Sequence, residues 1–317
     1  MRIAVMGAGG IGGNFGARLA AAGEDVALIA RGAHLAAIKE NGLQVLSETV
    51  GDIHARPRIA TDDPAAVGPV EVVLLTTKLY DLDAAAVRCK PLLGADTAVI
   101  SLLNGVDSED RMMPILGPEH VVGGAAYVTA HVIEPGVVRH VSGPQAMAFG
   151  ELSGGRSGRL DAFDQVVRAA GIESRYSEKI WREIWGKFVL LAAVGGVCAL
   201  TRQPMGGVRA DPELRQLYAD TVEEVLTVAA AKGIDLEADK ARAAALAFLD
   251  SSAPELRPSM LVDLDHGKRL ELEGGAGAVV RLGRELGVAT PINRAIWVAL
   301  RPWSDGRELA PGRPGRD

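Results

Sequence analysis

The chain opens MRIAVMGAGGIGGNFGARLAAAG, and this stretch constrains the fold more than any other. Residues 2–7 are a short β-rich run entering a glycine turn, and residues 14–23 have helical periodicity ending at a glycine, a common helix stop. Between them Gly7, Ala8, Gly9, Gly10, Ile11 and Gly12 fit G-x-G-x-x-G in the strand–turn–helix setting that makes the motif meaningful. Gly7 allows the tight turn, Gly9 lets the backbone approach a pyrophosphate, and Gly12 lets helix and strand pack closely. The helix N-terminus adds N–H groups and a partial positive charge for phosphates. A glycine-rich turn with no ligand is the plainer alternative; the setting favours a dinucleotide site.

An NAD site usually carries Asp or Glu at the end of the second strand, for the ribose 2′-hydroxyl. Here that strand, DVALIAR (25–31), ends in Arg31, whose guanidinium suits a 2′-phosphate, so the expected cofactor is NADP(H). Two further strands, VEVVLLTTK (70–78) and DTAVISLLNG (96–105), place Lys78 and Asn104 at the carboxyl edge of the sheet, where ligands bind in open α/β folds. Strands alternating with helices predict a parallel sheet covered on both faces. Residues 42–61 alternate more and predict a hairpin-like insertion.

From His120 the pattern becomes alternating strand broken at Glu134-Pro135-Gly136, a β-turn, with a further strand at 145–151, a helix at 159–170 and a strand near 172–176. Helices are then expected at 178–200, 211–232, 236–250, 254–265, 271–286 and 291–300. The fold class is thus an α/β Rossmann-type N-terminal domain (1–177) followed by an all-α domain (178–303). A Gly-, Pro- and charge-rich tail (304–317) is expected to be disordered.

The 317 residues allow two real cores, and a net charge of −6 without a basic run argues against nucleic acid or an anionic membrane as partner. The N-terminal apolar run breaks after six residues, too early for a signal peptide, and the uncharged run 188–201 holds fourteen, short of the roughly 20 a span needs. Cys89 and Cys198 lie in apolar contexts outside any CxxC and read as reduced core residues of a cytoplasmic protein. The histidines at 34, 54, 120, 131, 140 and 266 form no metal pattern, though His131 and His140 flank the turn and are placed to face each other across it. Leu, Val and Ala faces in the helical half are compatible with a homodimer.

In WGKFVLLAAVGG (185–196), Lys187 shares a helix face with Leu191, Val194 and Gly195. An amphipathic helix whose lysine snorkels to water is one reading. Glu271, twelve residues after Ser259, is the carboxylate a half-buried lysine needs; the plain readings are a solvated charge for Glu271 and a helix cap for Ser259.

These motifs together, with PGVVRH, IWREIWGKF, PSMLVDL and LELEGGAGAVVRLGRELGVATP, resemble the ketopantoate reductases (2-dehydropantoate 2-reductases) over nearly the whole chain. The resemblance implies reduction of a small-molecule 2-keto acid to a 2-hydroxy acid by NADPH. It implies Lys187 as general acid, Glu271 as its partner or a substrate holder, and Ser259 as a substrate contact. It implies Asn104 at the junction of nicotinamide and substrate, and Arg31 and Lys78 on cofactor phosphates. The family carries asparagines where this chain has Leu191 and Gly195, Asn-Gly where it has Ala276-Gly277, and an asparagine where it has Leu256. An added substrate hydroxyl facing Leu191 would be buried unsatisfied, at about 1–3 kcal/mol. A keto acid less polar than ketopantoate is therefore expected as an alternative to ketopantoate itself. A non-catalytic NADP(H)-binding protein is a rival reading, opposed by the retained lysine and carboxylate. A β-hydroxy-acid dehydrogenase would carry glycine-rich substrate loops not found here.

Overall fold

The structure is a computed structural model and describes residues 1–306. Its elements in chain order are β1 (Arg2–Met6), α1 (Gly10–Ala21), β2 (Asp25–Ile29), α2 (Gly32–Asn41), β3 (Leu43–Ser47), β4 (Ile53–Ala55), β5 (Ile59–Thr61), β6 (Val70–Leu75), α3 (Leu82–Cys89), β7 (Leu93–Ser101) and α4 (Ser108–Leu116). Then come β8 (Val121–Glu134), β9 (Val137–Glu151), α5 (Gly158–Ala169), β10 (Glu173–Tyr176), α6 (Ile180–Thr201), α7 (Met205–Ala210), α8 (Pro212–Ala231), α9 (Ala238–Ser251), α10 (Ser259–Asp265), α11 (Ala276–Leu286) and α12 (Pro291–Leu300).

The chain divides into two compact units, one of residues 1–103 and 107–184, the other of 104–106 and the chain from Trp185 on. The short piece Asn104–Val106 thus leaves the strand-bearing unit that surrounds it in sequence.

The first unit is built on one ten-stranded sheet in the order β4-β3-β9-β8-β7-β6-β1-β2-β5, with β10 also on β9. Strands β5, β2, β1, β6, β7 and β8 pair in parallel, and β8–β9 and β3–β4 are antiparallel. The expected parallel sheet is therefore one side of a mixed one, running from β8 to the edge strand β5. Alternate residues of each strand enter opposite cores: Ile3, Val5 and Leu28 pack with Phe15 and Phe149, while Ala4, Met6 and Ile29 pack with Leu82 and Met112. Both faces are covered, so the strands are near-continuously apolar. The insertion at 42–61 is the β3–β4 hairpin followed by β5.

Two strand readings are corrected. The residues 137–151 form one strand, not two separated by a loop, because β9 stays paired along β8. His131 stands opposite Arg139, and His140 opposite Ala130, because the register shifts beside the turn, between Val132 and Glu134. His140 is instead buried against Ser47, with Nδ1 2.8 Å from Oγ.

In the second unit, helix α6 is long and apolar enough to cross a membrane, which the count of fourteen uncharged residues did not anticipate, yet 67% of its most apolar window is buried in the protein. Ile180, Ile184, Trp185, Phe188, Val189 and Val197 are among its buried residues, which makes it a core helix. Glu224 of α8 accepts from the Ile292 and Asn293 N–H groups (2.7 and 2.8 Å), filling donors left open at the start of α12. Expected helix starts at 254 and 271 move to Ser259 and Ala276. Pro258 sits at the N-cap of the first, and Gly274 and Gly275 turn back onto the Glu271 carbonyl (3.2 and 3.1 Å) before the second. Of the expected tail, residues 307–317 lie outside the described residues. Residues 304–306 are a turn whose Ser304 carbonyl accepts from the Leu270 N–H at 2.9 Å.

Candidate active site

The glycine loop joins β1 to α1 and lies at the carboxyl end of β2, where the N–H groups of Gly7 and Ala8 donate to the Ile29 carbonyl (3.1 and 3.0 Å). Its glycines differ in what surrounds them. Gly7 has φ +103°, a left-handed value that disfavours any side chain. A Cβ on Gly12 would overlap Thr76 Oγ1 and the Gly7 carbonyl and lie 2.8 Å from Val5 Cγ1. A Cβ on Gly10 would overlap the Ala130 carbonyl oxygen. Around Gly9 there is nothing within 4 Å. So Gly7, Gly10 and Gly12 answer to the protein, while Gly9 presents bare backbone to open space beside the first turn of α1. Those N–H groups have no partners within the helix, which is the arrangement a pyrophosphate requires. Ala8 and Ile11 complete the loop; Ala8 is buried and Ile11 partly so.

Arg31 is exposed, at the N-cap of α2, two residues beyond β2. Lys78 is exposed and caps a short 3₁₀ turn at 79–81, three residues beyond β6 rather than at the strand's end. Because β2 and β6 flank β1, both cations follow strands adjoining the loop. The sequence reading missed Thr76, whose hydroxyl donates to the Gly7 carbonyl at 2.8 Å; the hydroxyls of TTK at a strand end were its signal.

In the second unit, Lys187 lies in α6, partly buried, and its Nζ donates to Asn104 Oδ1 at 2.9 Å. These residues are 83 apart in sequence. Burial pushes the Lys187 ammonium down, the Glu271 carboxylate offsets part of that, and the net result is about 8. Glu271 stands in the turn before α11, partly buried, not in a helix. Ser259 is exposed as the first residue of α10. Leu191 and Gly195 continue the α6 face beyond Lys187. A Cβ on Gly195 would lie 3.0 Å from Met260 Cε, and one on Gly275 4.0 Å from the same methyl. The Met260 thioether therefore occupies the space a Gly195 side chain would use. The sequence reading passed over Met260, although it adjoins Ser259. Lys187, Asn104 and Glu271 are thus brought together; Leu191 and Gly195 follow Lys187 along α6, and Met260 of α10 packs beside Gly195.

An ammonium with a pKa near 8 is an effective proton donor at neutral pH, because the acid form dominates below 8 and the loss of its proton is not strongly uphill. If Lys187 is the acid, kcat/KM falls about tenfold per pH unit above roughly 8. Removing the Glu271 charge removes what holds the ammonium protonated, so Glu271→Gln moves this alkaline limb to lower pH. A limb that stays put in the variant's pH profile rejects the coupling.

The family model described as ketopantoate reductase PanE/ApbA matches residues 3–154, and its C-terminal counterpart matches 179–303. Among similar proteins is the 2-dehydropantoate 2-reductase of Mesorhizobium japonicum, 31% identical, covering 95% of this chain and 97% of the relative. A crystal structure of a PanE/ApbA family ketopantoate reductase from Ralstonia eutropha JMP134 is similar with a TM-score of 0.87 and 31% identity, covering 96% of this chain and 98% of that one. A ternary structure of D-mandelate dehydrogenase with NADH and anilino(oxo)acetate is similar with a TM-score of 0.86 and 27% identity, covering 96% and 98%. Both halves of the chain are matched, in an order and at a length shared with these relatives, and the chain belongs to the ketopantoate reductase family.

Proposed function

We propose that this chain reduces a 2-keto acid to a 2-hydroxy acid with NADP(H). The observation that carries the reading is Lys187: a partly buried ammonium held down to about 8, hydrogen-bonded to Asn104 and attracted by Glu271. A scaffold or sensor has no use for such a group. When bound, the cofactor supplies the hydride. Reduction of the keto carbon leaves an alkoxide, which needs a proton and a positive field. Lys187 supplies both, Asn104 aims its Nζ, and Glu271 keeps it charged. Ser259 is assigned to the substrate, and Asn104 also to the nicotinamide side of the same junction. The loop Gly7–Gly12 is assigned to the pyrophosphate, and Arg31 and Lys78 to cofactor phosphates.

A nicotinamide cofactor fits the family and the NADH-bound neighbour. NADP(H) over NAD(H) rests on Arg31, which offers a charge-assisted contact to a 2′-phosphate. Arg31→Ala is expected to weaken NADPH binding by about 10–100-fold, one charged hydrogen bond's worth, and NADH binding little. Equal losses for both in a fluorescence titration reject the assignment.

For the substrate we favour a 2-keto acid less polar than ketopantoate. Leu191, Gly195 and Met260 offer no side-chain hydrogen bond to a hydroxyl, and the D-mandelate dehydrogenase neighbour holds the aryl-substituted anilino(oxo)acetate. NADPH oxidation against ketopantoate, branched-chain and phenyl-substituted 2-keto acids tests this. The apolar acids are expected to show the higher kcat/KM. Ketopantoate as best substrate, with a micromolar KM, overturns the preference. No turnover of any keto acid by a chain that binds NADPH supports the non-catalytic reading instead.

A further inference from the structure

The glycine loop is also held from outside, by one imidazole. His34 lies in the first turn of α2, three residues after Arg31 and partly buried. Its Nε2 is 2.8 Å from the Ala8 carbonyl oxygen, and its Nδ1 lies 3.0 Å from the Gly136 N–H nitrogen. A carbonyl only accepts and a backbone N–H only donates. The two contacts together therefore select one neutral tautomer, with the proton on Nε2. Ala8 is the second residue of the glycine loop, and Gly136 closes the β8–β9 turn with φ +80°.

The surroundings show that this bridge is built in. The β8–β9 arm sits directly on the start of α1, where Gly10 meets Ala130 and a Cβ on Gly13 would lie 3.0 Å from Val138 Cγ2. A Cβ on Gly136 would be 3.0 Å from Ala37 Cβ of α2, and the Gly136 carbonyl accepts from the Gln44 N–H at 2.9 Å. Elsewhere in the loop the Gly7 carbonyl accepts from the Thr76 hydroxyl, 69 residues away, and from the Gly9 N–H, and the Gly9 carbonyl accepts from the Gly13 N–H. The Ala8 carbonyl takes its partner from His34, 26 residues away.

We propose that His34 is a positioning residue for the dinucleotide. By holding the Ala8 carbonyl, it sets the plane of the Ala8–Gly9 peptide, and with it the open face of Gly9 and the aim of the first-turn N–H groups of α1. By accepting from Gly136, it makes the β8–β9 turn part of the same support. The ring suits the task because it points one donor and one acceptor outward from different edges of one rigid plane. The proposal rests on the reading that this loop holds the pyrophosphate.

Glutamine carries the same donor and acceptor on one amide; leucine has the bulk and neither. The experiment titrates full-length wild type, His34→Gln, His34→Leu and His34→Ala with NADPH by fluorescence. Amide hydrogen exchange at Gly136 is followed without cofactor. Thermal melts establish that each variant is folded. Leucine and alanine are expected to weaken NADPH binding about 5–10-fold and to speed Gly136 exchange. KM for NADPH is expected to rise in step, with kcat unchanged, and glutamine to restore most of the affinity. Wild-type affinity in the leucine variant, or a glutamine variant no better than leucine, overturns the proposal. A wild-type chain that binds neither NADPH nor NADH overturns the loop reading itself, and the proposal with it.

Discussion

Lys187→Met is expected to lower kcat for keto-acid reduction by ~10²–10⁴-fold, the usual worth of a positioned general acid. NADPH affinity is expected to stay at the wild-type value, because the glycine loop, Arg31 and Lys78 are untouched. Methionine fits the apolar setting of α6, whose neighbours Trp185, Phe188 and Val189 are buried, and it removes an ammonium that burial disfavours. The variant should therefore melt no lower than wild type. Single-turnover measurements with bound NADPH separate proton delivery from product release. A variant that keeps its kcat would remove Lys187 from the chemistry and leave Asn104 and Glu271 as a structural pair around a buried charge.

Gly9→Ala and Gly12→Ala are expected to fail in opposite ways. Gly9 has φ −79°, which alanine adopts freely, and a Cβ there meets no protein atom within 4 Å. The variant should fold and melt as wild type, yet bind NADPH about 10–100-fold more weakly, because the new methyl stands where the pyrophosphate must approach. At Gly12 the methyl would overlap Thr76 Oγ1 and the Gly7 carbonyl. That change should cost about 1–3 kcal/mol of stability by forcing α1 off β1, with cofactor binding lost as a consequence. Thermal melts beside NADPH titrations separate the cases. A Gly9→Ala variant with unchanged affinity would mean that the open face of the loop is not where phosphate sits.

Much of this molecule is legible in short stretches of sequence. The strand–glycine–helix opening, the helix stop at Gly23, the Pro-Gly turn at 135–136 and the apolar run of α6 each arise from local rules of periodicity and backbone freedom. Helix starts were less legible at α10 and α11, where Pro258 and Gly274-Gly275 delay a helix whose apolar spacing begins earlier. Strand register was not legible at all. His131 and His140 look paired around the turn, yet a register shift beside it, between Val132 and Glu134, moves them out of opposition.

The candidate site divides along the same line. By itself the sequence determined that a strand–glycine loop–helix unit lies at the start of the chain, that a cation follows β2, and that a lone lysine leads an apolar helix. Each is a property of consecutive residues. Only the tertiary structure decided that Asn104 leaves the strand-bearing unit to meet Lys187, and that Met260 fills the space beside Gly195. It alone joined the Ala8 carbonyl to a turn more than a hundred positions away through His34, which stands 102 residues before Gly136. Those contacts join residues far apart in the chain. The lysine's lowered pKa likewise depends on what surrounds its ammonium, which periodicity along one helix does not specify.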